Sequence, residues 1–165
     1  MEIFNAILFL ITFLCICLLV VKLNNKKKKQ LYNNIIANTK GDLVMILNQI
    51  NCESSTLGLK NRDYIFNKAD VYILPDALIL FGYWQNIFFK QLSVPIILTN
   101  HLEKYLFNYG VSKIVNPDKM NLNSFNGDVY FSFGEAGFFS TSVDIRLKGL
   151  SAGDKELINK ALKTN

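Results

Sequence analysis

The side chains able to carry chemistry in this chain are few, and most of them are lysines. Lys26, Lys27, Lys28 and Lys29 form an unbroken cationic run, with Lys22 just before it. Ammonium groups so concentrated attract anions, phosphate above all. His101 is the sole histidine, with Glu103 two residues on. A zinc or iron site draws on several His or Cys side chains, so no metal and no cofactor is assigned. Cys52 as a nucleophile would need a base, and His101 is the one candidate, with no motif to orient the pair. The carboxylates are scattered, without a close pair suited to acid/base work. Gly134 and Gly137 lack a phosphate-loop pattern and read as a turn. On this inventory no catalytic residue and no small-molecule substrate are assigned, and the chain is not expected to be an enzyme. Two aromatic side chains stand out instead. Tyr83 and Trp84, the latter the only tryptophan, fall at what reads as a hairpin tip, with Phe88 and Phe89 close behind. Such rings favour protein interfaces and the membrane–water boundary. Tyr83 and Trp84 are therefore candidate contacts for a partner or a membrane, against the alternative that they pack on the domain's own core.

What lies next to the lysines decides their partner. Residues 3–21 read IFNAILFLITFLCICLLVV, with no charge and only Asn5 and Thr12 as polar interruptions. As a helix this stretch spans roughly 28 Å, close to the ~30 Å hydrocarbon core of a bilayer. A cleaved signal would need a basic start, a shorter apolar core and small residues at its end. None of these is present, so an uncleaved transmembrane helix is expected at 3–21. A basic juxtamembrane segment follows at 22–38, and one domain at 39–165. By the positive-inside rule the lysines put that domain in the cytoplasm of a single-pass cell-membrane protein, with the N-terminus outside. Lys26, Lys27, Lys28 and Lys29 then meet anionic headgroups, at about 1 kcal/mol each near the surface.

Charge and cysteine usage agree with that placement. The chain carries a net charge of +5, which invites a nucleic-acid reading. Yet residues 30–165 hold 13 basic and 12 acidic side chains, so the domain itself is near neutral. A phosphate-backbone binder carries a basic face of its own, and no nucleic acid is expected. Cys15 and Cys17 fall in the apolar stretch, which leaves Cys52 alone in the domain, as suits a reducing compartment.

Periodicity supplies the elements. Leu31, Ile35 and Ile36 fall at helical spacing, as a juxtamembrane continuation of the first helix lying along the surface. Leu43, Ile46, Leu47 and Ile50 do so again after Gly41, with Asp42 as a cap, although LVMIL also fits a strand. Residues 51–61 are polar and turn-like. Short aromatic and β-branched runs predict strands near 64–67, 71–74, 78–82, 87–91 and 95–99, with turns at Pro75-Asp76 and at 83–86. A further strand is predicted at 113–115, and a loop through 116–128. Two alternating strands follow at 129–133 and 143–147. Ser151 then caps a final helix, with Asp154 at its third position and a stripe of Leu157, Ile158, Ala161 and Leu162. Lys155, Glu156, Asn159 and Lys163 are expected to face water.

Several short antiparallel strands closed by one amphipathic helix resemble the bacterial pleckstrin-homology-like (PH-like) domain. The resemblance rests on DVYILPDALILFGY (70–83) and SVDIRLKGLSAGDKELINKAL (142–162), and covers residues 62–163. It implies a mainly-β, half-open antiparallel barrel with a C-terminal capping helix, used to bind lipids, peptides or proteins. Members that bind phosphoinositides carry several Lys and Arg around the first hairpin. Here only Lys60 and Arg62 stand near it, beside Asp63. The function expected is a membrane-anchored binding or scaffolding module that presents a PH-like domain to an unidentified protein partner or to membrane lipids. The alternatives are a small accessory subunit of a membrane complex and an enzyme whose site goes unrecognised.

Overall fold

The lysine run does not interrupt the first helix. The computed structural model describes residues 2–58, 64–87, 89–106, 113–135 and 141–163, and in it α1 (Glu2–Thr39) is one unbroken helix. No Gly or Pro occurs in it, and 38 residues at ~1.5 Å each make about 57 Å. It stops where Gly41 follows Lys40, and the Asp42 amide donates to the Thr39 carbonyl at 3.1 Å. Its N-terminal part is long and apolar enough to cross a membrane, and the rest of the chain leaves its most apolar window uncovered.

The next element corrects the sequence-based expectation. In place of a helix over 43–50 and a polar loop over 51–61, residues Met45–Leu57 form one long strand, β1. The misleading helical spacing has a physical cause. The pairing register shifts between Leu47 and Ile50, and Gln49 sits at φ 55°. A bulge adds a residue and breaks the period of two. Beyond it the alternation returns, but the side chains turned inward are Cys52, Ser54 and Thr56, too polar to announce a buried face.

Antiparallel pairing then builds one curled sheet in two halves. The start of β1 pairs β2 (Lys68–Ile73), which pairs β3 (Ala77–Gln85), which pairs both β4 (Lys90–Leu92) and β5 (Ile96–Thr99). After a short helix α2 (Leu102–Leu106), β6 (Lys113–Val115) joins β5 in parallel. The end of β1, Cys52 to Leu57, pairs β9 (Thr141–Leu147), which continues to β8 (Val129–Glu135) and β7 (Lys119–Asn121). Segment 64–67, expected as a strand, joins no ladder and bends at Tyr64 and Asn67, with Tyr64 and Phe66 buried. β7 lies where a loop was expected, and α2 lies in a stretch for which the sequence predicted no element. Each is short, and β7 buries none of its residues fully, so neither leaves a hydrophobic signature.

Two cores flank the first half-sheet. The concave core joins Val71, Ile73, Leu78, Leu80, Ile96 and Leu98 to Phe131, Phe133, Val143, Ile145 and Leu147 of the other half. It is closed by α3 (Ala152–Leu162) through Ile158, Ala161 and Leu162. The Ser151 hydroxyl accepts from the Asp154 amide, and the Asp154 carboxylate accepts from the Ser151 amide, so α3 begins with the expected capping box. The opposite face is covered by α1: Tyr32 and Ile35 pack on Ala77, Ile79, Phe81, Ile97 and Tyr105. This is why ALILFGY is continuously apolar, since a strand covered on both faces has no solvent side. At Gly82 an added Cβ would lie 2.7 Å from the Phe66 ring, so only glycine admits that ring. Lys155, expected on the solvated face, instead donates to Asn123 Oδ1 at 3.0 Å and to the Gly127 carbonyl at 2.5 Å, tying α3 to the turn before β8.

Ile158→Ala should lower unfolding stability by about 2–5 kcal/mol, whereas Glu156→Ala should stay within about 0.5 kcal/mol. Denaturation of the full chain in detergent measures both, and equal effects would mean that α3 is not part of the core.

Candidate functional site

The features that could meet another molecule converge where α1 leaves its apolar part and reaches the sheet. One stripe of α1, Asn25, Lys28, Tyr32, Ile35 and Thr39, recurs at steps of three and four and so faces one direction. Asn25 heads it with its side-chain amide. The Nδ2 group donates to the Lys90 carbonyl at 2.7 Å, and Oδ1 accepts from the Leu92 amide at 2.9 Å. The amide thus supplies to β4 the two bonds a neighbouring strand would supply. Lys28 Nζ donates to the Leu92 carbonyl at 2.8 Å. The Tyr32 hydroxyl lies 2.8 Å from the Gly82 carbonyl and 2.9 Å from that of Ser93, at the centre of the contact. Burial, and then the Asp70 carboxylate, push its ionisation well above the usual tyrosine range, so it stays a neutral donor.

These contacts also give the direction of β3. Tyr32 meets Gly82, while Asn25 meets Lys90, the strand partner of Gln85. Seven helical residues and three strand residues each cover about 10 Å, so β3 runs alongside α1 toward the apolar end. The tip of the β3–β4 hairpin is at 86–89, a few residues beyond the predicted 83–86. Ile87 projects there, 95% exposed, within about one helical turn of the level of Val21. Tyr83, a candidate surface contact from sequence, is buried in β3 with Lys90 Nζ 3.4 Å from its ring centre. Trp84 is half-buried on the other side of the strand, its ring 5.4 Å from that of Phe89. Phe88 lies outside the described residues.

Between α1 and this hairpin runs an open groove of about 930 Å³. Leu19 and Leu23 form its wall at the apolar end, Lys22, Lys26, Lys29 and Lys90 ring it, and Tyr32, Tyr83 and Leu92 form its floor. Asp70 is the one carboxylate in it, and its Oδ1 accepts from the Gln49 amide at 2.8 Å. The structure therefore sorts the four lysines of the run. Lys26 and Lys29 face the groove, Lys28 is held against β4, and Lys27 is exposed elsewhere on the helix. Lys22 and Lys90 were not singled out as groove residues by sequence, because nothing local says that a hairpin some seventy residues away completes the ring.

The other candidates stay apart. Cys52 is buried, its thiol pushed up to about 12 first by burial and then by Asp70, so it is not a thiolate at neutral pH. His101 is exposed at the start of α2. Among the described residues no three His, Cys, Asp or Glu side chains converge as metal ligands. Lys60 and Arg62 lie outside the described residues. A second concavity of about 400 Å³ on the convex side of the other half-sheet is lined by Tyr130, Asp144 and Arg146, and the Tyr130 hydroxyl donates to Asp144 at 2.7 Å. Comparisons of the chain with protein-family profiles, with curated proteins and with solved structures give no match.

Tyr32→Phe should cost about 1–2 kcal/mol, since it strips a buried donor from its carbonyls. A change under about 0.5 kcal/mol in detergent-solubilised full-length chain would mean that α1 is not docked. At the far end of the same contact, burial raises Asp76, but hydrogen bonds from Lys104 at 2.8 Å and Tyr105 at 2.7 Å outweigh it and hold the carboxyl below its usual value. A depressed carboxyl contributes stability above its unfolded value of about 3.9 and loses it as pH falls through the folded value. Asp76→Asn should therefore destabilise at neutral pH, and the difference from wild type should shrink below about pH 4. A gap that is unchanged on acidification would contradict the assignment.

Proposed function

We propose that this chain is a single-pass membrane protein whose PH-like half-barrel is held on the cytoplasmic face as a binding or scaffolding module for a protein or lipid partner. The observation that carries this reading is the continuity of α1. One helix supplies an uncovered apolar segment of spanning length, a lysine collar, and the side chains that fill the outer core of the domain. The collar lies at the C-terminal end of the apolar segment, which favours a cytoplasmic domain. In support of the PH-like layout stand the curled antiparallel sheet and the capped helix α3 closing its concave side. The parallel strand β6 and the docked α1 are additions to that layout. The enzyme alternative has weaker support, because the Cys52 thiol is buried and His101 is exposed at a separate place.

A C-terminal reporter active only outside the cytoplasm should stay silent, and one active inside should report. Protease trimming of the domain in intact cells would overturn the topology. Pull-down from solubilised membranes should recover a stoichiometric partner or bound lipid. Turnover of a substrate by the purified chain, with neither recovered, would favour the enzyme instead.

A further inference from the structure

Resting on the membrane-anchored reading, we infer that the groove between α1 and the β3–β4 hairpin holds one anionic phospholipid of the adjoining leaflet. Three independent features of the groove fit that ligand and no simpler one. The first is charge. Lys22, Lys26, Lys29 and Lys90 surround the groove against the single carboxylate of Asp70. Among the described residues none of the first three is paired with a carboxylate. Four clustered ammonium groups that face a single carboxylate leave a net positive charge that calls for an external anion.

The second feature is height. Counting from Val21, Lys22 and Lys26 rise about 1.5 and 7.5 Å along the helix, within or next to a headgroup layer some 5–8 Å deep on each side. Lys29 stands above them, and Lys90, whose carbonyl accepts from Asn25, enters from the hairpin at a height between Lys22 and Lys26. The exposed tip at Ile87 comes to the same level, so the groove mouth opens toward the leaflet rather than away from it.

The third feature is the apolar wall. Leu19 and Leu23 are more than half exposed and continue the apolar surface of the helix into the groove. An inorganic phosphate would leave that wall unused, whereas a glycerophospholipid lays its acyl chains along Leu19 and Leu23 and its phosphate between the lysines. The recognition is of charge and of the headgroup–acyl junction, and the neutral Tyr32 hydroxyl, already engaged with Gly82 and Ser93, takes no part in it.

The test uses the full chain in nanodiscs of phosphatidylcholine alone or doped with phosphatidylglycerol. Native mass spectrometry after release then counts the lipids retained on each chain. Wild type and Lys27→Gln should retain one phosphatidylglycerol. The triple variant Lys22→Gln/Lys26→Gln/Lys29→Gln should lose affinity by about a hundredfold, the conversion of three lysines at roughly 1 kcal/mol each. Lys27 and Lys28 remain in that variant to orient the helix, and an unchanged denaturation curve shows that it is folded. Equal retention by the triple variant and Lys27→Gln would reduce the effect to diffuse charge and overturn the site. So would retention of phosphatidylcholine as readily as phosphatidylglycerol. Displacement of the lipid by inorganic phosphate alone would overturn the lipid and leave an ion site. A chain that fails to enter the nanodisc removes the anchored reading itself, whereas one that enters without lipid preference removes only the groove.

Discussion

The bend in β1 is the constraint on which the rest of the domain depends. One strand pairs with β2 before the bend and with β9 after it, so both halves of the sheet hang on the same backbone. The turn is made at Gln49, whose φ of 55° costs a non-glycine residue on the order of 1–2 kcal/mol. Asp70 on the neighbouring strand accepts the Gln49 amide at 2.8 Å, so the bulge does not leave an orphaned donor. Because the halves turn toward each other, Phe131, Phe133 and Ile145 meet Leu78, Leu80 and Leu98 in one core. α3 then closes the concave side, and the convex side of the first half-sheet is left for α1.

That division of labour makes β3 the pivot between fold and site. Its inner row, Leu78 and Leu80, belongs to the barrel core, and its outer row, Ala77, Ile79 and Phe81, belongs to the contact with α1. Its far end carries Tyr83 and the hairpin that walls the groove. A helix held by Asn25 and Tyr32 to carbonyls and amides of β3, β4 and the segment after β4 cannot swing independently of the sheet. Under the membrane-anchored reading, the domain has a fixed attitude to the bilayer rather than a free tether.

Elements whose signals are local were legible in the sequence. The apolar run of α1, the alternation of β8 and β9, the Ser151–Asp154 box and the stripe of α3 each declare themselves within one contiguous stretch of at most about twenty residues. β1 was not legible, since its bulge imitates helical spacing and its second half turns Ser54 and Thr56 inward. The docking of α1 was half legible. Leu31, Ile35 and Ile36 mark an apolar face, but Asn25 and Lys28 continue the same stripe with polar side chains that hydropathy does not count. The groove was least legible of all. The lysine run drew attention as a block, yet a straight helix distributes consecutive residues around its axis, and only the position of β4 decides which of them share a face.

The outer core also has an order in time. Tyr32 and Ile35 are made long before Ile79, Phe81 and Ile97, the side chains that cover them. From Thr39 to Thr99 synthesis takes roughly 3–12 s at ~5–20 residues per second. For that interval the apolar stripe of a nascent helix has no protein partner, while the helix segment before it is already complete. Were that segment captured by a bilayer as it emerged, the stripe would lie beside the headgroups, where an amphipathic face can rest until the sheet arrives. The sheet would then assemble against a helix whose position had already been set, so that anchoring precedes and templates the folding of the domain.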